Sequence, residues 1–197
     1  VKATGTPLPA AIAPGSEPRH GAPMAPGIDG TVHQHIFSFR FDMSIDGDRN
    51  AVREIDFEKV PMGKGNPHGN AIRIVETPLR SEREAAREID LARARYWQVI
   101  NPDSLNRLGR SVAYKLVPGA NALPFLDPEA PVAKRAGFMF KHFWATRYHP
   151  DELYAAGWYP NQHAGGDGLP RYIEADRKLE GENVVVFVDS MTRDLAA

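Results

Sequence analysis

The fold class this sequence predicts is mainly β, an antiparallel β-sandwich. Three observations predict it. Residues 33–45 alternate apolar and polar side chains over a dozen positions, which is the period of a half-buried strand. Five further short runs, at 71–77, 96–100, 112–117, 138–146 and 183–188, are each bounded by turn residues. Only two segments carry helix signals. An α+β arrangement is the alternative.

The chain has 197 residues, 42% of them apolar and 25% charged. That is enough to bury a core without staples. Net charge is −1, from 24 basic and 25 acidic residues. A nucleic-acid binder needs a basic surplus to neutralise phosphates, and polybasic docking on anionic membrane needs one too. Neither is expected here. No apolar run reaches the length of a membrane span, so a soluble chain is expected, cytoplasmic or periplasmic. Val1-Lys2-Ala3-Thr4-Gly5 has no apolar stretch of the signal-peptide kind. With no leading Met, a processed chain or a fragment is expected. Cysteine is absent, so metal chemistry falls to the seven histidines.

The elements follow in chain order. Residues 5–31 are crowded with Gly and Pro, among them Pro14-Gly15 and Pro26-Gly27, and read as a long irregular loop. The strand over 33–45 comes next. Its odd set, His33, His35, Phe37, Phe39, Phe41, Met43 and Ile45, is predicted to face inward. Asp46-Gly47-Asp48 supplies a turn, and a partner over 51–57 closes a hairpin. Ser81 and Glu84 form a capping box for a helix through Ile89 and Ala92. Its charged residues, Arg80 to Arg95 interleaved with Glu82, Glu84, Glu88 and Asp90, read as a solvated helix face. Asp127-Pro128 opens a second helix, ending near Ala136.

His33-Gln34-His35 is the sharpest chemical signal. On a strand, residues i and i+2 share a face roughly 7 Å apart, at about 3.3 Å per residue. Two imidazoles so placed can share a zinc, copper, iron or nickel ion. The competing reading is two half-buried strand-end histidines. An unpartnered buried imidazole is costly, and the pair follows a long loop, where sites tend to sit. His142 reads as a core or interface histidine, and His149 and His163 as solvated turn residues. His20 and His68 lack a spaced partner. Trp97, Trp144 and Trp158 read as packing residues.

The run His33-Gln34-His35-Ile36-Phe37-Ser38-Phe39-Arg40-Phe41-Asp42-Met43, then Ile45-Asp46-Gly47, resembles the copper-binding signature of copper-containing primary amine oxidases. Other pieces agree in order: Val1 to Gly5, Ala25-Pro26-Gly27, Thr77 to Glu82 (a bacterial form), Asn101-Pro102, Gly137-Phe138, Tyr159-Pro160-Asn161-Gln162, and Gly166 to Pro170. The resemblance covers residues 1–187 and implies a truncated catalytic β-sandwich domain with 188–197 as a divergent tail. It implies oxidation of a primary amine to an aldehyde, with dioxygen reduced to hydrogen peroxide and ammonia released. It implies copper(II), a topaquinone made from a tyrosine of the same polypeptide, and a homodimer.

Carried over residue by residue, the resemblance makes His33 and His35 two of three copper ligands. The quinone tyrosine and the aspartate base belong to motifs not found in these 197 residues. At the register of the third histidine stands Asp194, and Phe187 replaces a tryptophan. The chain is therefore expected to be inactive on amines by itself. The alternative is a non-catalytic metal-binding or interaction domain derived from the family. A cupin-type oxygenase would need a downstream glutamate and a distant histidine on short barrel strands, which the long 33–45 segment opposes. A peripheral calcium site is also implied, at Asp42, the Met43 carbonyl, Asn183 and Val184. Ser44 and Asn183 stand where the family has acids, so this site is expected to be weak or empty.

Overall fold

The computed structural model describes residues 8–17, 19–119 and 122–194, the side chains of 192–194 excepted. Val1 to Gly5, one of the family-like pieces, lies outside the described residues. So do residues 195–197. Two antiparallel sheets form the body. One has the order β4 (His33–Met43), β10 (Val184–Asp194), β9 (Phe143–Arg147). The other has the order β6 (Ile72–Leu79), β5 (Ala51–Lys59), β7 (Tyr96–Leu105), β8 (Ser111–Leu116).

The sheets pack face to face around one core. Val52, Leu79, Trp97 and Val99 of the four-stranded sheet meet Val184, Val186, Phe143 and Ala145 of the other. Trp97 stacks on Phe143 with ring centroids 4.6 Å apart and 9° between planes. The mainly-β sandwich is what the sequence predicts. β10 lies between β4 and β9 and is covered on both faces. Val184 and Val186 point to the inter-sheet core, and Val185 and Phe187 to a second cluster with Trp144, Leu169 and Phe138. A strand buried on both sides reads as an unbroken apolar run, as Val184 to Val188 does. It continues through Asp194, beyond the strand predicted over 183–188.

The loop expected over 5–31 holds a small third sheet instead. β1 (Leu8–Ala11), β3 (Ile28–Thr31) and β2 (Gly21–Ala25) lie side by side in that order. Pro9 and Pro23 sit in the two outer strands, where a missing N–H is tolerated. Gly27, at φ 74°, turns β2 into β3. Nearly all of β1 and β2 is exposed, so no apolar alternation marked these strands.

The hairpin expected between 33–45 and 51–57 does not form. β4 and β5 belong to different sheets, and residues 44–50 carry the chain from one to the other. Asn50, fully buried, holds this crossing. Its Oδ1 accepts from the Ile45 N–H at 3.1 Å, and its Nδ2 donates to the Gly47 carbonyl at 2.6 Å. Asn101 Nδ2 donates to the Ile45 carbonyl at 2.7 Å. The odd set of β4 lies on the inter-sheet side, Met43 opposite Val184 and Phe39 opposite Val188. Only Met43 and the following Ile45 join that core, however, and Phe41 stays 42% exposed. As an edge strand, β4 is half-covered on both faces.

The helix expected from the capping box is also absent. Residues 82–85 make one turn, with the Ala85 N–H on the Ser81 carbonyl at 3.1 Å. Arg87 then bridges to Phe143, its N–H on that carbonyl at 2.8 Å, so the chain joins the sandwich. Glu84 turns back to accept from the Arg80 N–H at 2.7 Å, one residue earlier than a capping box on Ser81 requires. The charges are a solvated face only in part: Arg80, Arg83, Glu84 and Arg93 are exposed, while Glu82 is buried and Arg87 and Arg95 reach buried carboxylates. Glu54, 2% exposed, takes Arg87 Nε and Nη2 at 2.8 and 2.7 Å and the Trp97 indole N–H at 3.1 Å. Arg95 grips Asp56 through Nε and Nη2, both at 2.9 Å. That hydrogen-bonded pair holds the Asp56 carboxyl below its ordinary range and the Arg95 guanidinium above.

The second helix is shorter than expected. α1 is Pro131–Arg135; Asp127 instead closes a turn by accepting from the Glu129 N–H at 2.8 Å. Over 138–146, a 3-10 turn (Gly137–Phe140) precedes β9. The short helix α2 (Leu169–Tyr172) supports the second cluster. No helix among the described residues is long and apolar enough to cross a membrane.

Candidate metal centre

β4 begins at His33, where the chain leaves the small sheet and enters the sandwich. The two imidazoles share a strand face, as the i, i+2 spacing requires. They also converge. His33 Nε2 and His35 Nε2 stand 3.0 Å apart, with ring centroids at 4.7 Å and 72° between planes. His33 Nδ1 lies 2.9 Å from the Thr31 carbonyl. A carbonyl only accepts, so Nδ1 carries the proton and the neutral ring keeps its lone pair on Nε2. His35 stacks against Phe37 at 6.1 Å and 16°.

This arrangement fits a shared ion. Two imidazole nitrogens 3.0 Å apart on one strand face could both bind one first-row ion, copper(II) among them. A backbone carbonyl on the distal ring nitrogen is also the usual outer support of a ligating histidine. The Thr31 carbonyl has no side-chain signature, and sequence reasoning passed over it. Among the described residues no group of three His, Asp or Glu side chains gathers to hold a metal. The ladder sets Asp194 opposite His33 and Thr192 opposite His35, so β10 passes the pair at this end.

The residues of the expected peripheral cation site meet at the other end of the β4–β10 ladder. Met43 lies opposite Val184, and Asp42 opposite Val185. Asp42 is exposed. Asn183 directly precedes β10; its carbonyl accepts from the Tyr148 N–H at 2.8 Å, while its buried Oδ1 makes no hydrogen bond among the described residues. That oxygen fits a cation. Ser44, however, gives its hydroxyl to Asp48 at 3.0 Å. The Arg147–Glu182 ion pair at 3.3 Å lies beside the ladder, Arg147 opposite Val184. With Asp42 its one carboxylate, this set offers little of the charge that calcium prefers.

The other histidines fall near their bland readings. His142 is 1% exposed. Its Nε2 lies 3.0 Å from the Ala122 carbonyl, so that nitrogen donates, and its Nδ1 accepts from the Ile89 N–H at 3.4 Å. Burial pushes its pKa down. His149 and His163 each accept from a turn N–H, of Asp151 at 3.3 Å and Gly165 at 3.0 Å. His163 Nε2 is buried, contrary to a solvated ring.

A family model for the copper amine oxidase enzyme domain matches residues 1–192. Histamine oxidase of Arthrobacter globiformis is 46% identical over 186 residues, covering 94% of this chain and 27% of that protein. Copper-containing diamine oxidase 1, peroxisomal, of Nicotiana tabacum is 40% identical over 192 residues, covering 95% and 24%. In structure, the copper-containing benzylamine oxidase of Hansenula polymorpha superposes with a TM-score of 0.89 at 26% identity, over 96% of this chain and 30% of that one. The chain spans about a quarter of the length of these curated relatives.

Proposed function

From a chain that belongs to the copper amine oxidase family, we propose a specific part in that chemistry: His33 and His35 are two ligands of its copper(II) ion. The observation that carries this reading is the 3.0 Å approach of the two Nε2 atoms, with the His33 Nδ1 proton committed to the Thr31 carbonyl. Copper held there would supply the redox chemistry by which such an enzyme builds topaquinone and handles dioxygen. The chain's own residues keep the lone pair of His33 on the nitrogen facing His35. They also steady the His35 ring against Phe37.

In this reading the whole protein is a primary amine oxidase, a homodimer that converts amine, dioxygen and water to aldehyde, ammonia and hydrogen peroxide. It is soluble and bacterial, in the cytoplasm or the periplasm. Residues 1–187 are part of its catalytic sandwich, and 188–197 diverge from the family in sequence. The quinone tyrosine, the aspartate base and a third copper histidine are not among the 197 residues, so this chain alone releases no peroxide from amines. Asp42, the Met43 carbonyl, Asn183 and Val184 form a second, weak position for calcium. The orphaned Asn183 Oδ1 supports it.

Copper content beside intact mass tests the reading, on chain refolded with and without Cu(II). The expected result is one copper per chain, lost in His33→Ala. Metal that is absent, or indifferent to the substitution, would leave the second reading: a sandwich retained for binding or interaction without copper. The departure at Asp194 favours that second reading.

A further inference from the structure

Gln34 lies between the two histidines and faces the opposite side of β4. Its carboxamide makes two hydrogen bonds to a segment about ninety residues away. Nε2 donates to the Leu123 carbonyl, and Oε1 accepts from the Phe125 N–H, both at 3.1 Å. One side chain thus pairs with residues 123–125 as a neighbouring strand would. The same segment is fastened at its other end, where His142 Nε2 donates to the Ala122 carbonyl at 3.0 Å. His142 leads into β9, and its carbonyl accepts from the Asp189 N–H of β10 at 2.9 Å. Residues 122–125 therefore run as a strap between the two edges of the sheet, one anchor beside β4 and the other beside β9, with β10 between them. A groove of about 600 Å³ opens beside the strap, lined by Glu88, Ile89, Leu91, Leu123, Phe125 and His142.

Among the described residues β4 is an edge strand, and β10 alone pairs with its backbone in the sheet. The strap supplies a second hold, at the one residue flanked by both candidate ligands. We propose that Gln34 is a positioning residue for the histidine pair: by pinning the strap to the back of β4, it keeps His33 and His35 convergent on the front. The part concerning copper rests on the proposed ligand role; the part concerning convergence does not.

The test uses the whole 197-residue chain, Gln34→Ala and Gln34→Glu. Glutamate preserves the size and the bond from the Phe125 N–H but loses the donor to Leu123, so it should fall between the other two. Three quantities are read: exchange of the Phe125 amide, the imidazole ¹⁵N resonances of His33 and His35 without metal, and the Kd for Cu(II) with its EPR spectrum. In Gln34→Ala the Phe125 amide is expected to lose protection. The two imidazole resonances shift toward those of independent rings, and Kd for Cu(II) rises about ten-fold, the low end for outer support of a ligand. Unmoved imidazole resonances despite a deprotected Phe125 amide would overturn the proposal, because the strap would then be only a surface tie. An unchanged Kd and EPR spectrum in a copper-binding parent would overturn it equally. If the parent binds no copper but the resonances shift in Gln34→Ala, the copper reading fails and the positioning role stands.

Discussion

Replacing Glu82 by alanine is expected to cost the fold about 3–5 kcal/mol, the penalty for breaking a buried ion pair from one side. The carboxylate is 0% exposed. Its Oε1 accepts from the Arg147 N–H at 3.0 Å and from Arg177 Nε at 2.8 Å, and its Oε2 accepts from the Arg177 N–H at 2.9 Å. Arg177 also reaches Glu152 at 2.6 Å. The alanine variant leaves two backbone N–H groups and part of a guanidinium without their acceptor. Glu82→Gln keeps the shape and one acceptor oxygen, so it should lose less. Thermal unfolding reads the difference: at roughly 2–4 °C per kcal/mol for a chain of this size, the alanine variant should melt on the order of 10 °C lower. A drop of only a degree or two would mean that solvent already reaches the carboxylate.

Asp189→Asn is expected to change how stability depends on pH. Asp189 sits in β10, fully buried, and neither carboxylate oxygen finds a hydrogen bond among the described residues. Burial pushes its pKa up to about 7; Ser38 and Trp144 pull the other way. That pull is weak, because the Trp144 indole N–H is given to the Phe138 carbonyl at 3.1 Å and Ser38 Oγ is itself unpaired. In the unfolded chain the group titrates near about 3.9. The folded state therefore takes up a proton between those values. The neutral carboxyl's contribution is fully present below about pH 4, is lost as pH rises toward 7, and stays lost above. Three pKa units correspond to about 4 kcal/mol. His142, whose carbonyl pairs with Asp189, has its pKa lowered by burial and acts in the opposite sense, losing stability as pH falls. The informative quantity is thus the difference between parent and Asp189→Asn in urea unfolding at pH 4, 5.5, 7 and 8. The variant should gain on the parent by up to about 4 kcal/mol across that range and level off above pH 7. Parallel profiles would show that Asp189 is hydrated or paired in the native state.

Neither of these two carboxylates could be read as buried from the chain. Asp189 falls just past the strand predicted over 183–188, in the stretch read as a divergent tail, and only the continuation of β10 to Asp194 places it in the interior. Glu82 lay in a charged stretch with a capping-box spacing and read as the surface of a helix. Only the arrival of Arg177 and the Arg147 N–H made it a core residue. The same holds for Glu54 and Asp56, whose partners Arg87 and Arg95 come from a segment more than thirty residues on.

The sequence by itself determined the β class, most strand positions and the histidine pair, because a two-residue period and an i, i+2 spacing are local properties of an extended chain. The family resemblance came from the same local runs. Tertiary structure alone decided which strands pair. Asn50 and Asn101 divert the expected hairpin into a crossing between sheets, and exposed proline-bearing strands pair through backbone groups that leave no side-chain pattern. It also decided that His33 and His35 turn toward each other rather than merely share a face, since the Thr31 carbonyl fixes one ring and Phe37 packs on the other. Each of these outcomes depends on a hydrogen bond or a contact between backbone and side chain. Such contacts are set by distance in the folded chain, which residue types along a sequence do not encode one by one.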